Sequence, residues 1–123
     1  MSYEKIARLV KVLSNQTKDQ ELKWNETETE GIYEISFKNY SVRLSKNQKF
    51  NEIIQDFEPI IILELANQNG EIIEQITDEN LGKLIHDPYG TMKEMYETAR
   101  RQAMGVESAL DEILSLIDPD VPF

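Results

Sequence analysis

Apolar residues recur along the chain with two different periods, and the points where the period switches divide it into elements. Ile6, Leu9, Val10 and Leu13 fall three and four apart, with Lys5, Arg8 and Lys11 elsewhere on the wheel, which predicts an amphipathic helix over residues 3–18. Ser2 is its candidate cap. In "ELKWNE", Leu22 and Trp24 alternate with charged residues, as in a short strand. "GIYEISFKNYSVRLSK" is the clearest β signal. Tyr33, Ile35 and Phe37 share one strand face, and Tyr40, Val42 and Leu44 share a face of the next. Lys38-Asn39 fits a two-residue turn, because Asn tolerates the positive φ that such turns require. That turn sets Phe37 opposite Tyr40 and puts both apolar faces on one side of the hairpin.

The period then changes. Phe50, Ile53, Ile54 and Phe57 lie at i, i+3, i+4 and i+7, which predicts a short helix ended by Pro59. "IIILELA" and "EIIEQIT" flank Asn69-Gly70, the pattern of a second hairpin. Ile61, Leu63 and Leu65 line one face of its first strand, while Ile60 and Ile62 are apolar on the other. A strand apolar on both sides is normally covered on both. "TDENLGKLIHDPYG" predicts a short helix through Leu81, Leu84 and Ile85, ended at Asp87-Pro88. The last helix is expected to open at Thr91, where Thr91 and Glu94 have capping-box spacing.

From Met92 onward one stripe continues through Tyr96, Ala99, Ala103, Val106, Leu110, Ile113 and Ile117. Such a stripe can be the core-facing side of a long helix or a seam joining two chains, and the core-facing reading is preferred because a sheet this small needs a cover. Gly105 weakens the middle by about 1 kcal/mol relative to Ala, and a cap-like Ser108-x-x-Asp111 follows it, so a kink or restart is expected there. Together the elements predict one α+β domain over residues 1–123. Its sheet is mostly antiparallel, with four or five strands, and the first and last helices pack on one face.

Charge and composition narrow the chemistry. The formal net charge is −10, unevenly spread: residues 1–49 hold nine Lys/Arg against seven Asp/Glu, and residues 50–123 hold four against sixteen. Phosphate backbones are repelled by such a surface, which argues against nucleic acid as a partner. Lys38, Arg43, Lys46 and Lys49 form a small basic edge without interleaved aromatic stackers, so a solvated surface is the simpler reading. The absence of cysteine excludes disulfides, thiolate catalysis and Cys-ligated metals, and suits a reducing compartment. No apolar run is long enough for a leader or a membrane span, so a cytoplasmic protein without a membrane partner is expected.

Motifs for catalysis are scarce. His86 is the single histidine, which rules out His-pair metal sites, and its place at a helix end beside Asp87 suits capping. No Gly-rich phosphate loop or nucleophile elbow occurs. Glu26, Glu28 and Glu30 in "NETETEG", and Asp118 and Asp120 in "DPD", lack the spacing of a calcium loop. Glu64 interrupts the most apolar strand and is the one carboxylate with a case for half-burial. No cofactor, metal ligand or catalytic residue is therefore assigned. Arg100 and Arg101 are either an anion reader or the wet side of a helix, and Glu97, four residues before Arg101, favours the second.

The combination of "ELKW", "YEISF…YSVRLS", "NGEIIEQI" and "YETARRQAMGVESALDEIL" resembles a family of small uncharacterised bacterial α+β proteins with the layout helix, sheet, long helix. That resemblance implies a fold and carries over no catalytic residue. "KNQKFNEIIQDFEP" and "IHDPYGT" depart from its pattern as additions. In layout alone, helix, three strands, helix, two strands, helix is similar to type III secretion chaperones, which are dimers that wrap an extended client.

The expected function is a small acidic, non-enzymatic binding or adaptor protein with a protein partner and scope for a homodimer. Its expected partner surface is the far face of the second hairpin, Ile60, Ile62, Ile72 and Ile76, joined by Arg100 and Arg101. Whether the helix at 50–57 covers that face is open from sequence. The alternatives are a dimeric secretion-type chaperone and an enzyme using carboxylates near Glu64.

Overall fold

The computed structural model describes residues 3–118 and Asp120. The fold is α+β: among the described residues, helix α1 (Glu4–Lys18) precedes five antiparallel strands and is followed by helices α2 (Pro88–Ala103) and α3 (Val106–Ile117). The strands are β1 (Asn25–Glu26), β2 (Tyr33–Ser36), β3 (Tyr40–Asn51), β4 (Asp56–Asn67) and β5 (Ile72–Thr77). Each pairs with the next, in the order β1-β2-β3-β4-β5. Short turns explain this meander, since each connection is too short for a crossover.

One face of the sheet is apolar and the helices cover it. Tyr33, Ile35, Val42, Leu44, Ile61, Leu63 and Ile76 pack with Ala7, Val10 and Leu13 of α1 and with Met92, Met95, Tyr96 and Ala99 of α2. Trp24 precedes β1 rather than lying in a strand, and it is buried in the same core. Its indole N–H donates to the Thr17 hydroxyl at 2.9 Å, both groups being buried. The indole thus brings a large apolar body to the core with its one polar group satisfied. Thr17 joins the buried face of α1 for this reason, although it is polar.

Four local expectations are corrected. Residues 50–57 are not a helix. Phe50 pairs with Phe57 across β3 and β4, and residues 52–55 form the turn between them. An i, i+3, i+4, i+7 pattern also arises when a four-residue turn is flanked by one apolar residue on each strand. Here Asn51 accepts the Ile53 N–H, and Gln55 takes a positive φ of 54°, which closes the turn. Pro59 stops nothing; it lies within β4 opposite Gln48. The Ile61 N–H points away from β3 to the Asp78 carboxylate at 2.9 Å, so the ring nitrogen two residues earlier points to the same free edge.

The second correction is at β5. Ile76 is fully buried in the core, opposite Leu63, whereas Ile72 stands opposite Ala66 on the other face. A bulge at Leu65/Ala66 adds one residue and reverses the alternation between Ile72 and Ile76. Third, α2 opens at Pro88, not Thr91. Asp87, at φ 50°, caps it by accepting the Gly90 N–H, and proline suits the first helical position because it has no N–H to satisfy. A Cβ at Gly90 would collide with that carboxylate. Fourth, the helix expected through residue 85 is a single 3₁₀ turn, Asp78–Leu81, which buries Leu81 and Asp78. Ser2, the candidate cap of α1, lies outside the described residues.

Thr17→Val should leave the buried Trp24 N–H without an acceptor, at a cost of about 1–3 kcal/mol. Thermal denaturation followed by tryptophan fluorescence should show a clearly lowered midpoint for Thr17→Val and little change for Thr17→Ser. Equal midpoints for Thr17→Val and the parent chain would remove this bond from the account of stability.

Candidate functional site

The expected patch on the far face of the second hairpin is not contiguous. Ile60 and Ile62 are half-buried on that face beside Asn47 and Ser45, with Thr77 on the other side of Ile62. The next row along the sheet is polar. Glu34, Arg43, Glu64 and Gln75 stand side by side across β2 to β5. Arg43 binds Glu34 at 2.6 Å, and the Gln75 amide donates to Glu64 at 3.3 Å. This row separates Ile62 from Ile72, and Ile76 is on the opposite side in the core. Glu64 is therefore an ordinary member of a polar row on a half-buried face.

Arg100 and Arg101 diverge. Arg100 pairs with Glu97 at 3.2 Å and lines a concavity of about 420 Å³ under the β1–β2 loop, with Tyr33, Met104 and Glu26. Arg101 reaches Glu107 at 2.6 Å and lines a different one of about 410 Å³ between Gln20, Leu22 and Ser108. Each guanidinium already has a carboxylate, and the two do not converge on one anion. His86 lines a third concavity with Lys11, Lys18 and Glu94. Among the described residues, no group of three or more His, Asp or Glu side chains is placed to hold a metal ion. No helix there is long and apolar enough to cross a membrane.

Beside Arg100 lies a tyrosine pair. The rings of Tyr33 and Tyr96 are 5.5 Å apart, the Tyr96 hydroxyl donates to the Gly31 carbonyl at 2.8 Å, and the Tyr33 hydroxyl contacts the Met104 sulfur at 3.5 Å. These contacts dock the end of α2 on the β1–β2 loop. Burial raises both phenols above the usual value, and the charge of Arg100 offsets part of the rise.

Two apolar surfaces outside the expected partner patch are left uncovered. The first is α3. The stripe from Met92 to Ile117 divides at Gly105, where the sequence predicts a kink or restart and where the backbone takes a positive φ of 65°. Met92, Met95, Tyr96 and Ala99 enter the core, but α3 has no buried residue at all. Leu110, Ile113 and Leu114 are exposed, and Leu116 and Ile117 are 79% and 72% exposed. The second is the ribbon made where β3 and β4 run on past the strands beside them. Its tip exposes Phe50, Ile54, Phe57 and Ile53, the last at 92%. The sequence signal for α3 was present in its apolar stripe, but sequence does not say which half of a stripe finds a core.

No protein-family model, curated protein or solved structure matches this chain. The surfaces themselves carry the functional reading.

The raised phenols give a testable alkaline behaviour. Native Tyr33 and Tyr96 hold their protons more tightly than unfolded tyrosine. Their contribution to stability is full below the ordinary value near 10 and is lost as pH rises through the native values. Ultraviolet titration should show the Tyr33 and Tyr96 phenols ionising above the ordinary value, and Tyr33→Phe should remove one late-ionising group. A titration with no late-ionising phenol, or one unchanged by Tyr33→Phe, would contradict it.

Proposed function

We propose that this chain is a small non-enzymatic protein-interaction module, an adaptor rather than a catalyst, and that α3 is its main docking element. The observation that carries the reading is that α3 presents an apolar stripe yet buries no residue against its own chain. A helix of twelve residues with no side-chain cap is marginal in water by itself. It gains stability by laying its stripe into a complementary surface, the helix-in-groove mode of recognition. Solvent-facing apolar area of this extent is a common mark of a docking surface. The non-enzymatic part of the reading is supported by the dispersal of the polar groups: Arg100, Arg101 and Glu64 are each engaged by a neighbour, and His86 lies apart from them.

The docking surface is thus moved from the Ile60, Ile62, Ile72 and Ile76 face to α3 and the ribbon tip. The chaperone-like layout required a helix between the third and fourth strands, and β3 and β4 are joined by a four-residue turn instead.

Ile113→Asp tests the reading. An isoleucine at the centre of an interface contributes about 2 kcal/mol or more, so complexes formed by the full chain should weaken by roughly 30-fold or more. The core should be unaffected, because Ile113 is outside it. Light scattering and chemical cross-linking in native lysate read the complexes, and tryptophan fluorescence reads the core. A parent chain that forms no protein complex of any kind, with itself or another protein, would overturn the proposal.

A further inference from the structure

Hydrogen-bond alternation fixes which backbone groups of the sheet face outward. In an antiparallel pair, opposite residues in turn exchange both backbone bonds or both point away. The Ile61 N–H goes to Asp78, away from β3, so Ile61 and its opposite, Lys46, point away from each other. Every second residue along the ribbon does likewise: Gln48 and Phe50 on β3, Phe57 and Pro59 on β4. Ile62 and Glu64 then face β3, and their partners on β5, Thr77 and Gln75, point outward. Past Leu44 no β2 residue lies opposite β3, and before Ile62 no β5 residue lies opposite β4. These positions therefore line open edges, where an extended chain adds as a further strand.

Side chains already take most of these N–H groups. Gln48 donates to the Asn47 carboxamide oxygen at 2.9 Å, and Phe57 to the Asp56 carboxylate at 2.8 Å. Gln75 donates to the Glu74 carboxylate at 3.1 Å, and Thr77 to the Asn80 carboxamide oxygen at 2.9 Å. Asp78 holds Ile61, and Pro59 has no N–H to offer. Lys46 and Phe50 keep theirs free among the described residues, but the engaged Gln48 stands between them. An incoming strand needs the whole row.

We propose that Asn47, Asp56, Glu74, Asp78 and Asn80, together with Pro59, close the sheet edges and so keep extended chains, above all further copies of this chain, from adding as strands. Local bonds of this kind often serve turns, as those of Asn51 and Asn67 do here. Asn47 and Glu74 lie inside strands, where there is no turn to close. The hazard that they answer is written in β4. Ile60–Leu65 reads IIILEL, an apolar run of high β-propensity without glycine or proline, the composition that stacks into fibrils when its edge is open. Pro59 and the Asp78 contact fall where this run leaves the cover of β5. Closed edges also restrict how this chain is recognised: through side chains of its helices or ribbon tip, not by strand addition.

Opening the edge tests this. All variants are made in the full chain with Ile113→Asp, so that contacts through α3 do not contribute. Asn47→Ala, Asp56→Ala and Pro59→Ala combined free the ribbon, and all three side chains are exposed, so the tryptophan fluorescence of the folded core should be retained. Thioflavin T fluorescence should rise at least about 10-fold faster than in the parent chain, because three outward positions open together. Exchanging the acceptors, Asn47→Asp with Asp56→Asn, keeps both bonds and the net charge and should leave the parent behaviour. Glu52→Ala removes a charge at the tip without removing an acceptor and should do the same. The proposal is overturned if the folded triple variant stays as dye-negative as the parent, or if either control aggregates as the triple variant does. If the triple variant loses its fold, Glu74→Ala decides at the β5 edge: dye-positive aggregation with an intact core supports the proposal, and parent behaviour overturns it.

Discussion

The structure depends on the burial of one face of α2 against one face of the sheet. Met92, Met95, Tyr96 and Ala99 meet the apolar side of the strands, α1 packs along the same helix, and the β1–β2 loop is tied to it through Tyr96 and Gly31. The sheet is apolar on one side and carries the Glu34, Arg43, Glu64 and Gln75 row on the other, so it needs a single cover. Once α2 and α1 supply that cover, the apolar face of the sheet is closed and α3 does not share in it. The exposure of α3 is thus a consequence of how the core closes.

The same logic explains the ribbon. Strands β3 and β4 are twelve residues each, while β2 has four and β5 six. The excess length has no neighbouring strand to pair with and no helix beneath its tip. Long unpaired edges invite other chains. Here Pro59 withholds an N–H along one edge, and Asp78 takes the N–H of Ile61 next to it. Edge pairing is discouraged along the ribbon, while its apolar tip stays open. Association through side chains at the tip, not through backbone strands, is what this arrangement permits.

Much of the architecture was legible in the sequence. The α1 stripe, the β2–β3 hairpin around Lys38-Asn39 and the β4–β5 hairpin around Asn69-Gly70 each follow from local periodicity and are present, although the positive φ expected of the first turn is absent at Asn39 and a positive φ occurs at Gly70 in the second. The break at Gly105 was also readable, because glycine tolerates the positive φ found there. Two local patterns misled for definite reasons. Phe50, Ile53, Ile54 and Phe57 match a helix and a hairpin tip equally well, and cross-strand pairing of Phe50 with Phe57 decides for the hairpin. Ile72 and Ile76 are an even number of residues apart, which implies one face only if the strand is regular, and the bulge makes it irregular.

The candidate surfaces were legible only as apolar residues. Sequence alone determined that Leu110, Ile113 and Ile117 share a helical face, that α3 is wholly acidic in its charges, and that Glu97 is within helical reach of the arginine pair. Only the tertiary structure decided that this face is not buried among the described residues, that Ile76 is core while Ile72 is surface, that Glu97 pairs with Arg100 and Glu107 with Arg101, and that the two arginines face different concavities. The reason is physical. Periodicity is a property of neighbours along the chain, set by the geometry of one helix or strand. Burial is a property of how many apolar faces compete for one core, and that is settled only when all the elements are packed together.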